Sequence, residues 1–141
     1  MVTRSFAVRD FDALDVLSAR FDSAAIGDFI AATKSAHAIV LSTPVYKATY
    51  SGALKVLVDL VPPDALVGKV ALGIATTKLA AHGVEVSTAY AALFRFFRTR
   101  TSATLALVDD DFTAEGTSYV LSERAREQVV SAADVLVASL G

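Results

Sequence analysis

The sequence has no cysteine among its 141 residues, which removes disulfides, thiolate metal sites and cysteine nucleophiles from consideration. It has no basic stripe either. Its 13 lysines and arginines are interspersed with 15 acidic residues for a net charge of -2, so a surface built to neutralise nucleic-acid phosphates is not expected. Met1 to Asp10 lacks the positive start, apolar stretch and small-residue cleavage site of a secretory signal. No window reaches the ~18 uninterrupted apolar residues of a membrane span. A soluble, cytoplasmic protein with no membrane contact is therefore expected. Internal repeats and low-complexity tracts are missing, as is a GxGxxG fingerprint, so a separate Rossmann-type nicotinamide site is not indicated.

What is present is apolar and evenly distributed. Hydrophobic residues make up 54% and charged ones 20%, a composition that buries a core and leaves apolar surface over for a partner. The length suits one domain spanning residues 1–141.

Along the chain, the pattern alternates between strand and helix. Val2 to Val8 alternates weakly, as an edge strand would. From Asp22 or Ser23 as N-cap, Ile26, Phe29, Ile30 and Thr33 recur at helical spacing. His37 to Ser42 (HAIVLS) is a short apolar run leading into Thr43-Pro44, the pattern of a parallel strand buried on both faces. A loop over Val45 to Ser51 follows, then a helix over Gly52 to Val61 that Pro62-Pro63 stops. Lys69 to Ala75 and Ser102 to Val108 are two more strands, separated by a helix from about His82 to Arg100. Ser122 caps a last helix with Ala125, Val129, Ala133, Leu136, Val137 and Leu140 on one apolar face. The alternation implies an α/β, doubly wound parallel sheet in three layers. In such sheets ligands sit beyond the carboxyl ends of the strands, here the loops after Thr43 and Ala75.

The stretch from Ile39 to Asp59, IVLSTPVYKATYSGALKVLVD, closely resembles the TPVYKxxYSGxLKxxxD loop and helix of the flavodoxin-like, NAD(P)H-dependent FMN reductases of the alkanesulfonate type. Ala19-Arg20-Phe21-Asp22-Ser23, Leu66-Val67-Gly68-Lys69-Val70, Ala75-Thr76 and Ala81-His82 fall in that family's order. The resemblance runs from about Val2 to Asp110. It implies FMN as cofactor and NAD(P)H as transient co-substrate, with hydride passing between stacked rings, so the protein positions rings and needs no catalytic triad.

The resemblance also implies a site. Thr43, Pro44, Val45, Tyr46, Lys47 and Tyr50 lie against the flavin ring, Pro44 fixing the exit from the strand, Val45 and Tyr46 framing the ring, and Thr43 adding a hydroxyl contact. Thr76, Thr77 and Lys78 occupy the second flavin loop. The family usually has two glycines where Thr77 and Lys78 stand, and positive φ is costly at both. Lys78 either places a positive charge near the cofactor or faces solvent. His82 matches a family histidine at a helix start, where it bonds the flavin loop or serves helix entry.

The family's first strand, its glycine- and serine-rich phosphate loop and its first helix have no counterpart, because Val2 to Val8 aligns with the second strand. The fold expected is thus flavodoxin-like but N-terminally truncated, with three ways to repair the sheet. Val2 to Val8 moves beside His37 to Ser42, or packs elsewhere, or another chain adds a strand. The function implied is a reductase subunit whose FMN site is completed by a second chain; a noncatalytic partner subunit without flavin is the alternative. Partners implied are a homo- or hetero-oligomer, an intact or complementary reductase subunit, and a flavin-dependent monooxygenase.

Other residues read more plainly. Asp109-Asp110-Asp111 is a solvated turn rather than a magnesium site, and His37 is structural, so no metal is expected. Leu93-Phe94-Arg95-Phe96-Phe97-Arg98 carries aromatics over more than one helix face, which points to an oligomer interface. Lys47, Lys55 and Lys69 either attract a nicotinamide dinucleotide phosphate or solubilise the surface.

Overall fold

The computed structural model describes residues 2–141. Its organising element is a four-stranded sheet in the order β2-β1-β3-β4, made of β1 (Ala38–Tyr46), β2 (Thr49–Tyr50), β3 (Val70–Thr77) and β4 (Arg100–Val108). β1, β3 and β4 run parallel, while the two-residue β2 folds back antiparallel on the end of β1. Helices α1 (Ala13–Leu17), α2 (Ala24–Ser35), α3 (Gly52–Asp59), α4 (His82–Phe96) and α5 (Glu123–Ala138) connect and flank it. The expected α/β layout is the one observed.

β3 is the centre, since both of its edges are bonded and almost every side chain along it is buried. On one face Ala71 and Ala75 meet Val86, Tyr90 and Phe94 of α4. On the other, Val70 and Leu72 meet Ala132 and Leu136 of α5. Gly73 is required here, because an added Cβ would stand 2.7 Å from the Tyr90 ring. That close approach lets the Tyr90 hydroxyl reach the carbonyls of Leu41 (2.9 Å) and Ile74 (3.1 Å), one on each of two neighbouring strands. Burial raises the Tyr90 pKa well above the usual phenol value, with Tyr50 adding a smaller push.

Several boundaries and faces differ from the sequence reading. Val2 to Val8 forms no strand: residues 2–7 are irregular and a 3-10 turn spans Val8–Asp10. Phe6 packs against Phe11 and Phe29, and Arg4 pairs with Asp28 on α2. An aromatic cluster with α2 has outcompeted a weak strand pattern, so Val2 to Val8 does not lie beside His37 to Ser42, and among the described residues that edge of β1 carries no strand. The run from His37 to Ser42 is not buried on both faces; Val40 is 51% exposed. β1 also continues through Thr43-Pro44 to Tyr46 rather than giving way to a loop.

In α5 the inward face is Ala125, Ala132 and Leu136, whereas Ala133, Val137 and Leu140 point outward. Asp111 is not solvated. It is 2% exposed, pairs with Arg124 and accepts from the Val108 amide at 2.9 Å. It thereby fastens the start of a small hairpin, β5 (Phe112–Glu115) and β6 (Ser118–Leu121), to α5. The sequence reading included neither that hairpin nor α1, although Asp12 caps α1 and Gly116 turns the hairpin at a φ of 61°. Of the aromatic run on α4, Phe94 and Phe97 belong to the core and Phe96 is 63% exposed. No helix is long and apolar enough to cross a membrane among the described residues.

Candidate functional site at the carboxyl ends of β1 and β3

Register brings the two loops together. Thr43 pairs with Ala75 and Pro44 with Thr76, so the segments leaving β1 and β3 emerge side by side, where α/β sheets bind ligands.

The segment leaving β1 is a tight hairpin, Val45 opposite Tyr50 and Tyr46 opposite Thr49. Its two turn residues, Lys47 and Ala48, have φ of 53° and 63°. A two-residue turn with both φ positive matches strand twist but favours Asn-Gly, and a side chain in that region costs about 1–2 kcal/mol per residue. At the hairpin base, Thr43 is 3% and Ser51 5% exposed. The Thr43 hydroxyl accepts from the Ser51 amide at 2.9 Å and lies 2.9 Å from the Ser51 hydroxyl and 3.0 Å from the Pro44 carbonyl. Ser51 also caps α3 by accepting from the Leu54 amide at 3.1 Å. Above this base Val45 and Tyr50 are half-buried, Tyr50 tilted against Tyr90 at 5.9 Å. Pro44, Tyr46 and Lys47 face solvent, Tyr46 by 63%.

In the segment leaving β3, Thr76 and Thr77 still belong to the strand. Thr77 is 5% exposed; its hydroxyl donates to the Leu79 carbonyl at 3.1 Å and accepts from the Leu79 amide at 3.3 Å, folding the turn into α4. Neither Thr77 nor Lys78 is among the residues with positive φ, so the strain expected there is absent and sits at Lys47-Ala48 instead. Lys78 is exposed, as is the apolar Leu79 at 54%. His82 is half-buried at the first position of α4, its amide donating to the Leu79 carbonyl.

All ten residues singled out from the sequence thus lie at or beside these two strand ends, with Val45, Tyr50, Thr76 and His82 half-buried. Thr43 and Thr77 have their hydroxyls engaged within the protein, whereas Pro44, Tyr46, Lys47 and Lys78 form an open surface. Sequence reading missed Ser51 and Leu79. Ser51 was legible as a serine directly before a helix start, and Leu79 as a large apolar residue in a turn. Two surface hollows lie elsewhere, one between β4 and α5 at Ser102, Ala103 and Val135, the other between β4 and α4 at Gly83, Ser87 and Thr104. Neither includes a residue of the β1–β2 hairpin.

The residues present suit a ligand with an apolar face: Tyr46, 63% exposed, and Leu79, 54% exposed, stand one on each segment, and covering either removes apolar area from water.

Comparison with known proteins agrees with the fold. A family model described as NADPH-dependent FMN reductase matches residues 1–114. A Pseudomonas putida protein named FMN reductase (NADPH) is 40% identical over 126 residues, which cover 88% of this chain and 64% of the relative. An Escherichia coli protein of the same name is 48% identical over 79 residues, 56% of this chain and 41% of the relative. The chain therefore spans less than two thirds of either relative's length. Among solved structures, an apo NADH:FMN oxidoreductase superposes with a TM-score of 0.84 at 27% identity, over 95% of this chain and 70% of that one. An oxidoreductase from Corynebacterium diphtheriae does so at 0.74 and 24% identity, over 89% and 69%, a likeness of fold.

Proposed function

Because the chain belongs to the NADPH-dependent FMN reductase family, we propose that the carboxyl ends of β1 and β3 hold the ring of FMN while NADPH reduces it. In this reading the chain works in a particle where a second polypeptide completes the sheet and the phosphate site. The observation that carries the reading is the register that sets the ends of β1 and β3 side by side, with Tyr46 exposed at the tip of one and Leu79 exposed in the turn after the other, in a chain similar to named FMN reductases.

Bound there, FMN supplies the hydride acceptor. The chain's own residues provide a platform. Pro44 fixes the direction in which β1 leaves the sheet. Exposed Tyr46 and Leu79 would offer apolar surface to the ring, while Val45 and Tyr50, half-buried, would support the hairpin from behind, Tyr50 resting against Tyr90. Lys47 and Lys78 set positive charge around the site, which favours a reduced, anionic flavin and draws in an anionic dinucleotide.

The need for a second polypeptide is supported by β1 itself. Over Ala38 to Pro44 it is bonded to β3 on one edge, and among the described residues no strand lies along the other. An edge with an exposed Val40 is the kind that strand addition covers.

Tyr46→Ala tests the site within the particle purified from the native host. The expected result is at least about tenfold weaker FMN binding, the scale of losing one buried aromatic contact, with NADPH oxidation recovered at saturating FMN. Unchanged FMN affinity, or a wild-type particle that never oxidises NADPH, overturns the assignment. A stable complex without flavin favours the noncatalytic partner role.

A further inference from the structure

We infer that Thr43 is a positioning residue rather than a flavin ligand: with Ser51 it clamps the base of the β1–β2 hairpin and holds the strained turn above it in one conformation. The inference rests on the ring-binding reading for its purpose, but its geometry stands on this chain alone.

Each hydroxyl has one proton and accepts through its lone pairs. One arrangement uses all of them. The Ser51 hydroxyl donates to Thr43 Oγ1, the Thr43 hydroxyl donates to the Pro44 carbonyl, and Thr43 Oγ1 also accepts the Ser51 amide, at separations of 2.9, 3.0 and 2.9 Å. Ser51 Oγ is left to accept the Leu54 amide at the start of α3. Two buried side chains thus tie three things together: the end of β1, the return of the hairpin and, through Ser51, the first turn of α3. No buried side-chain polar atom is left unpartnered among the described residues, so Thr43 has no free hydroxyl to offer a ligand without breaking this set.

The clamp has something to hold. Lys47 and Ala48 occupy positive φ without a glycine, and such residues persist only where their surroundings over-determine them. The β1–β2 ladder is only two residue pairs long, too short to fix the turn unaided. The Thr43–Ser51 bonds close the hairpin from below, and the edge carrying Tyr46 is presented in a ready-made shape. A preformed platform lowers the ordering cost of binding.

The test compares Thr43→Val, which keeps the shape and removes the hydroxyl, with Thr43→Ser, which keeps the hydroxyl. Hydrogen exchange is read at the amides of residues 45–51 in the ligand-free chain. Thr43→Val is expected to speed exchange there by roughly tenfold or more while β3 and α4 amides keep their rates, and Thr43→Ser restores the loop. Ala48→Gly placed on Thr43→Val recovers part of the protection by relieving the turn. If Thr43→Val does not fold, Ser51→Ala provides the same reading, with a smaller acceleration expected because its amide still reaches Thr43. Loop exchange at the wild-type rate in these variants overturns the inference, as does acceleration shared equally by β3 and α4. The second readout is the KM for FMN in the assembled particle, which rises in Thr43→Val with kcat unchanged and returns in Thr43→Ser. A wild-type particle with no flavin affinity defeats the reductase reading but leaves the exchange result to judge the clamp.

Discussion

β1 and β3 are near twins in sequence and differ sharply in surroundings. HAIVLS and KVALGIA are both short apolar runs, and Val40 and Leu72 sit opposite each other on the same face of the sheet. Yet Leu72 is 2% exposed and Val40 is 51% exposed. β3 has a strand on each side and α5 above it, whereas β1 has β3 on one side and only the two-residue β2 beyond its end. A strand's sequence therefore records the environment it is suited to, and its burial records the neighbours it has. β1 has the composition of an interior strand in an edge position.

Substitutions sharpen that contrast. The largest effect is expected at Leu72→Ala, which empties a packed site under α5 and costs about 2–4 kcal/mol in urea unfolding. A loss under about 1 kcal/mol would mean that β3 is not the centre of the core. Gly73→Ala comes next. Its new methyl collides with the Tyr90 ring, costing about 1–3 kcal/mol of overpacking; Tyr90→Ala in the same background should recover tolerance at position 73.

Tyr90→Phe removes the hydroxyl that joins β1 to β3, at about 1–2 kcal/mol. It also has a pH signature. The folded pKa of Tyr90 is raised, so the unfolded chain releases the phenol proton first. Stability from this group is present below about pH 10 and declines as pH rises beyond it. Melting curves should show an alkaline fall that is reduced in Tyr90→Phe; identical alkaline profiles would contradict the buried geometry. The smallest effect is expected at Val40→Ala in the chain alone, within about 0.5 kcal/mol. Under the proposed assembly the same substitution should weaken association, because a chain laid along β1 would cover Val40 as the neighbours of β3 cover Leu72. A Val40→Ala chain that assembles normally breaks the parallel between the two strands.

Much of the fold is legible in the sequence. Ser23, Ser51 and Ser122 announce three helix starts, Pro62-Pro63 closes α3, and the apolar runs around Val40, Leu72 and Ala106 locate the three parallel strands. The ten candidate residues gather at two strand ends because the loops after those strands are identifiable from their order. What escapes depends on contacts between distant residues. The Phe6, Phe11 and Phe29 cluster that takes Val2 to Val8 away from any sheet is built across a gap no local pattern spans. The turn at Lys47-Ala48 escapes because its sequence carries none of the glycine or asparagine that usually marks positive φ. Asp111 reads as solvated because Arg124, which pairs with it, lies on a helix beyond an unforeseen hairpin.

The most direct measurement is a visible absorption spectrum of the chain alone and of the particle isolated from its native host, each recorded anaerobically before and after NADPH. The expected result is a colourless chain and a yellow particle whose flavin band bleaches on addition of NADPH. A colourless particle, with β1 nonetheless covered, would contradict the ring-binding role.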